Sequence, residues 1–156
     1  MTDYNKIEAV KQIIGQTLDQ LGVPGKVEFE ESITKGLIFN ITSPESFMLI
    51  GRQGATLHAL QVLVQNIAVK QLGGQEPFWF TLDVDDYKRK REWYLKETAK
   101  AAVDHLKKTD KPVRLESMPA YERRFVHAYL QEHFPDVESE SQGEDPHRKI
   151  VIRFRR

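Results

Sequence analysis

The run Ile50-Gly51-Arg52-Gln53-Gly54-Ala55-Thr56-Leu57-His58-Ala59-Leu60 constrains this chain more than any other stretch. Two glycines three apart interrupt what is otherwise helical sequence. Ser43-Pro44-Glu45 reads as a helix start, with Ser at the cap and Pro in the first turn, and that helix must stop where Gly51 follows Ile50. A second helix begins after Gly54 and runs to about Gln71, with Leu57, Leu60, Val64 and Ile67 as its buried stripe, Leu63 beside it, and Gly73-Gly74 at its end. Glycine lets a backbone approach a ligand closely because it has no Cβ. The helix that follows offers unpaired N–H groups and a partial positive charge at its start, which suits phosphate. Arg52 adds a mobile cation, and the apolar neighbours can support unstacked bases. On the tetrapeptide alone, a plain corner between two helices is the favoured explanation. The chain holds a second such pair, Gly22 and Gly25, which encloses Pro24 and reads simply as a turn.

The surrounding elements decide between these readings. Residues 4–21 form a helix in which Ile7, Val10, Ile13, Ile14, Leu18 and Leu21 make one apolar face. Residues 26–31 and 37–42 read as strands joined by a turn at Thr34-Lys35-Gly36, and Phe78 to Val84 reads as a third strand. The order is helix, strand, strand, helix, helix, strand. With I-G-x-x-G-x-x-L-x-x-L set between the second and third strands, residues 1–84 resemble a type II KH domain. That resemblance implies single-stranded nucleic-acid binding, with Gly51, Arg52, Gln53 and Gly54 clamping the backbone of the strand. It also leaves Gln53 where family members often carry a second cation.

The second half is organised differently. Residues 86–108 are the longest helical candidate, with Leu95, Ala99, Ala102 and Leu106 on one face and Lys88, Arg89, Lys90, Arg91, Lys96 and Lys100 over much of the rest. Asp85-Asp86 reads as its cap. Thr109 to Pro112 breaks the helix, 113–117 reads as a strand, about 120–133 as a helix, Ser139 to Pro146 as a polar loop, and Lys149 to Phe154 as a closing strand. On the 120–133 helix, Arg123 and His127 are four apart and share a face. Arg grips phosphate with two N–H groups, and His donates to a phosphate oxygen or, once protonated, carries charge, with pH 6.5 as its ordinary midpoint. A surface Arg beside a partly buried His is the ordinary alternative. The run Glu122-Arg123-Arg124-Phe125-Val126-His127, followed by Ser141-Gln142-Gly143-Glu144-Asp145-Pro146-His147-Arg148, resembles the R-three-H domain, named for an R-x-x-x-H motif. A KH domain followed directly by an R-three-H domain is similar to the bacterial Jag (KhpB-like) family. Many members carry a further N-terminal domain, and no function of that domain is carried over.

Charge sharpens this expectation. The 23 Lys and Arg balance the 23 Asp and Glu, which argues against a uniformly basic nucleic-acid binder. The charges nevertheless fall in blocks, with residues 86–124 at net +5, 125–147 at −6 and 148–156 at +5. A neutral total thus permits basic sites. The absence of Cys excludes disulfides, thiolate metal sites and Cys nucleophiles. The longest apolar runs are too short to span a bilayer, and no secretory signal opens the chain. Asp83, Asp85 and Asp86 are explained by capping more readily than by a metal. Ser139 and Ser141 lack a nucleophile motif, and His105, His133 and His147 are scattered.

The expected fold is α+β: a type II KH domain over 1–84, a connecting helix over 85–109 and a small α+β R-three-H domain over 110–156. The expected function is non-catalytic binding of single-stranded RNA, or alternatively DNA, through Gly51, Arg52, Gln53 and Gly54 and through Arg123, His127 and Arg148, with no cofactor or metal. The resemblance further implies a cytoplasmic protein, partnership with a second small KH-domain protein, and post-transcriptional control. A protein–protein adaptor built on the KH fold is the competing expectation, and a metal-dependent nuclease resting on the Asp cluster is a third.

Overall fold

The computed structural model describes residues 3–74 and 78–156. The chain divides into two compact units, Met1–Lys88 and Arg89–Arg156.

The first unit runs α1 (Asp3–Leu21), β1 (Lys26–Ser32), β2 (Gly36–Thr42), α2 (Ser46–Ile50), a 3-10 turn (Arg52–Gly54), α3 (Ala55–Gln71) and β3 (Thr81–Val84). This is the order expected from sequence. In α1 the three- and four-residue spacing places Val10, Ile13, Ile14 and Leu18 on one buried face. β1 and β2 form an antiparallel hairpin in the register Phe29↔Phe39, while β3 lies parallel to β2 with Ile38 opposite Thr81. The sheet order is β1-β2-β3. α1 and α3 pack on each other and on the sheet, closing a core that includes Val10, Ile14, Phe39, Ile41, Leu49, Leu57, Val64, Leu82 and Val84. The third strand is shorter than the expected 78–84 stretch. Part of the difference is made up by Gln61 and Gln65 of α3, whose side-chain amides donate to the Phe80 and Phe78 carbonyls. Residues 75–77 lie outside the described residues.

The second unit contains α4 (Tyr87–Thr109), β4 (Val113–Arg114), α5 (Ala120–His133), β5 (Val137–Gln142) and β6 (Lys149–Phe154). Its antiparallel sheet has the order β4-β6-β5. Leu95, Ala99, Ala102, Val103 and Leu106 of α4 join Val126, Tyr129 and Leu130 of α5 and Val137, Ile150 and Ile152 of the sheet in one core. The helix expected as a connector therefore lends its apolar face to this unit.

Several local readings change: α2 starts at Ser46 with Glu45 rather than Ser43 at its cap, and β4 covers only Val113–Arg114 of the expected 113–117 strand. β5 occupies the first part of the expected polar loop. Val-Glu-Ser-Glu-Ser-Gln has one apolar residue, but it pairs with the apolar β6 from Val137↔Phe154 to Gln142↔Lys149. A polar edge strand leaves no apolar alternation to detect. A carboxylate outside the expected Asp85-Asp86 pair also reaches the first turn of α4. Asp85 and Asp86 take positive φ, 48° and 55°, in the turn. The carboxylate of buried Asp83 accepts the Lys88 N–H at 3.2 Å and the Val84 N–H at 2.8 Å. Burial pushes the Asp83 carboxyl above its ordinary pKa, against the pull of those N–H groups and of Lys88. Those bonds account for the buried Asp83 carboxylate.

Candidate nucleic-acid interface

The first locus is the turn between α2 and α3. Gly51 leaves α2 at φ 70°, with its N–H donating to the Phe47 carbonyl at 3.0 Å. A Cβ at this position would stand 2.1 Å from Thr56 Oγ1 and 2.7 Å from Thr56 Cβ, so both the backbone and the space demand glycine. Gln53 (φ 53°, ψ 29°) and Gly54 (φ 78°, ψ 13°) are left-handed in turn, and Gly54 is buried as it leads into α3. Buried Leu49 and Leu57 anchor the turn on its two sides, while the Arg52 side chain is exposed. The first turn of α3 holds no acidic residue. A helix start without a carboxylate, beside an exposed guanidinium, has the electrostatics of an anion-accepting turn.

The second locus gathers side chains from distant parts of the chain. His127 projects from α5 toward β5, where its Nδ1 lies 2.6 Å from Ser139 Oγ and its Nε2 lies 2.8 Å from Ser141 Oγ. A neutral imidazole donates through one nitrogen and accepts through the other, and a hydroxyl answers either role. Burial, and then the positive charge of Arg123, hold the His127 pKa below its ordinary 6.5, which favours this neutral form. Ser139 and Ser141 alternate on β5 and so face the same side.

These groups open onto a cleft of about 610 Å³ that is also lined by Gln131, Glu138, Glu140, Arg148 and Arg155. The Arg148 Nε is buried and finds no hydrogen-bond partner among the described residues. An orphaned guanidinium nitrogen is costly unless something fills the role.

His127 and Arg148 thus meet in one cleft. Arg123 does not line it. The residue is 6% exposed, and its guanidinium donates to the Met118 carbonyl at 2.7 Å and to Asp145 Oδ1 at 2.8 Å. The shared helix face predicted for Arg123 and His127 holds, but the two side chains do different work. Arg123 ties the segment before α5 to the 143–148 loop and acts on His127 through its charge. The sequence reading weighs Ser139 and Ser141 only as nucleophiles and in the family pattern, not as partners of His127, and does not single out Gln131 or Arg155. The alternation of Ser139 and Ser141 was the available signal, and it carries meaning only once 137–142 is seen as a strand.

Comparison with known proteins points the same way. The family model for the R-three-H domain matches residues 94–154. Several relatives carry the name RNA-binding protein KhpB, three of them aligned over nearly all of this chain. The one from Lactiplantibacillus plantarum is 31% identical over 96% of this chain and 45% of its own length. The one from Clostridium symbiosum is 33% identical over 96% of this chain and 65% of its own length. For the Bacillus subtilis relative the identity is 33%, over 97% of this chain and 73% of the relative. The chain therefore spans only about half to two thirds of the first two relatives. With the R-three-H match and this coverage of the Bacillus protein, the chain belongs to the KhpB family.

Proposed function

We propose that the chain is a non-catalytic binder of single-stranded RNA that works in the cytoplasm in post-transcriptional control. Residues 1–84 serve as a type II KH domain and residues 110–156 as an R-three-H domain, with the 85–109 helix between them. The observation that carries this reading is the cleft that joins His127, its two serines and the buried, unpartnered Nε of Arg148. It brings donors to open space beside two carboxylates, Glu138 and Glu140, that Arg153 already pairs, and the donors suit a phosphate oxygen. The turn at Gly51–Gly54, with Gln53 beside the exposed Arg52, supplies a second contact of the same chemistry. Two modest sites on one chain gain avidity through effective concentration. The name shared by the relatives supports RNA as the ligand.

The test is fluorescence anisotropy with a labelled single-stranded RNA at several salt concentrations. Wild type is compared with Gly51→Asp/Gly54→Asp and with His127→Ala/Arg148→Ala. Each double variant is expected to bind at least tenfold more weakly, since charge-assisted contacts contribute roughly 1.5–3 kcal/mol each. Equal binding by all three proteins, or no binding at any salt, removes the RNA reading.

A specific surface favours a second role, docking of a second small KH-domain protein. Phe47, Met48, Val62 and Leu63 are exposed on α2 and α3, and α3 carries no Asp, Glu, Lys or Arg from Ala55 to Val69. Loss of RNA binding in neither double variant, with a change in oligomeric state for Leu63→Glu, would move the weight to that role.

A further inference from the structure

The β4-β6-β5 sheet packs one side on the core of the second unit and leaves the other outside it. On β6 the strand alternation sends Ile150 and Ile152 into the core and Lys149, Val151 and Arg153 to the outer side. Residues directly opposite in an antiparallel pair share a side. Arg114, paired with Val151, is therefore on the outer side, and so are Glu138, Glu140 and Gln142, paired with Arg153, Val151 and Lys149. Arg114 and Lys149 are diagonal neighbours in this register, a spacing of roughly 7–8 Å.

The charges on this side divide. Glu138 accepts from Arg153 Nε at 2.5 Å, and Glu140 lies 3.7 Å from the Nη2 of the same guanidinium. Arg114 and Lys149 are exposed and make no ion pair among the described residues. Two clefts open here. One of about 390 Å³ is lined by Pro112, Arg114, Gln142, Val151 and Arg153, and one of about 230 Å³ by Arg114, Gln142, Gly143, His147 and Lys149. Arg114 and Gln142 line both, so the clefts adjoin, and neither is lined by Asp or Glu. The segment His147-Arg148-Lys149 joins them to the site described above. Arg148 lines the His127 cleft, while its neighbours His147 and Lys149 line the outer one.

A ligand for this side must carry closely spaced negative charge and needs no apolar anchor. Val151, central in the register, is only 7% exposed, so the surface between the cations offers a protein partner no apolar centre to bury. Diagonal cations match the step between successive phosphates of an extended strand. We propose that the outer side of this sheet is a further phosphate track, with Arg114 and Lys149 holding adjacent phosphates of a single-stranded RNA that continues from the His127 cleft around the 147–149 segment. The proposal rests on the RNA-binding reading above and extends it to a second side of the same unit.

The test is fluorescence anisotropy of the full chain with a labelled single-stranded RNA over a series of salt concentrations. Arg114→Gln/Lys149→Gln removes two phosphate contacts. Its affinity at low salt falls about tenfold, and its plot of log affinity against log salt is shallower by about 1.4, at roughly 0.7 per contact. Lys107→Gln/Lys108→Gln removes the same charge from exposed positions of α4 outside both clefts and keeps the wild-type slope. All four positions are exposed, and thermal unfolding checks that both variants are folded. Labelled poly-glutamate of the same charge binds wild type more weakly than the RNA does. Wild-type affinity and slope in Arg114→Gln/Lys149→Gln, or an equal loss in both variants, overturns the track and leaves RNA binding to the sites described above. Poly-glutamate binding as tight as that of RNA, and lost in Arg114→Gln/Lys149→Gln, overturns it in favour of an acidic protein. Failure of wild type to bind any RNA overturns the underlying reading, and the track with it.

Discussion

The turn at Gly51–Gly54 and the cleft at His127, the two proposed anion contacts, are built in opposite ways. The turn is made by backbone from consecutive residues, three of them at positive φ, with one exposed cation. The cleft is made by side chains from α5, β5 and the start of β6, brought together only by folding. A backbone site is intolerant of any added atom and indifferent to pH. A side-chain site tolerates local change but depends on the protonation and anchoring of its members. Three measurements probe that contrast.

The largest effect is expected at Gly51. Gly51→Ala combines a positive φ with overlap against Thr56, each costing roughly 1–3 kcal/mol, so urea denaturation should show a loss of about 2–6 kcal/mol. RNA affinity should fall with it. Unchanged stability and affinity would break the account of the turn as a site that only glycine can build.

Arg123 comes next. Arg123→Ala leaves the Met118 carbonyl without its donor and should cost about 2 kcal/mol, with the exposed Asp145 end of the ion pair adding little. His127→Ala should cost about 1 kcal/mol or less while weakening RNA binding more than Arg123→Ala does per unit of stability lost. If Arg123→Ala abolishes binding at full stability, Arg123 touches the ligand, and its assignment as an anchor is wrong.

The smallest effect concerns pH. The folded-state pKa of His127 lies below its unfolded value near 6.5, because burial and Arg123 disfavour the cation. Stability from this group is therefore full above pH 6.5 and is lost as pH falls toward the lowered folded value. A bound phosphate reverses the preference by stabilising the cation. RNA affinity should then rise on acidification, from the raised midpoint of the bound state down to the lowered midpoint of the free protein. His127→Gln should flatten both profiles. A wild-type affinity flat from about pH 7.5 to about 5.5, the range in which histidine ordinarily titrates, would confine His127 to a neutral, positioning role.

Much of this was legible beforehand, for local reasons. Glycine at 51 and 54, the apolar stripe Leu57-Leu60-Val64 and the hairpin ending at Gly36 are demands the chain makes on itself over a few residues. The order of elements in the first unit followed from them. The i, i+4 relation of Arg123 and His127 was equally visible, because helix periodicity needs no tertiary information. Their separate fates were not. Whether a guanidinium turns inward to Met118 or outward to solvent depends on where the 143–148 loop lies, which no spacing on α5 encodes.

β5 shows the same limit. Ser139, Glu140 and Ser141 have neither apolar alternation nor strong strand propensity, and pairing with β6 alone extends them. Only then do two serines point the same way and receive the two nitrogens of one imidazole. By itself the sequence determined the backbone-made turn, the helices and the family pattern, because each rests on steric rules acting between near neighbours. Tertiary structure alone decided which charged groups are buried anchors and which line a cleft, since burial, and with it the state of His127, belongs to contacts between residues far apart in the chain.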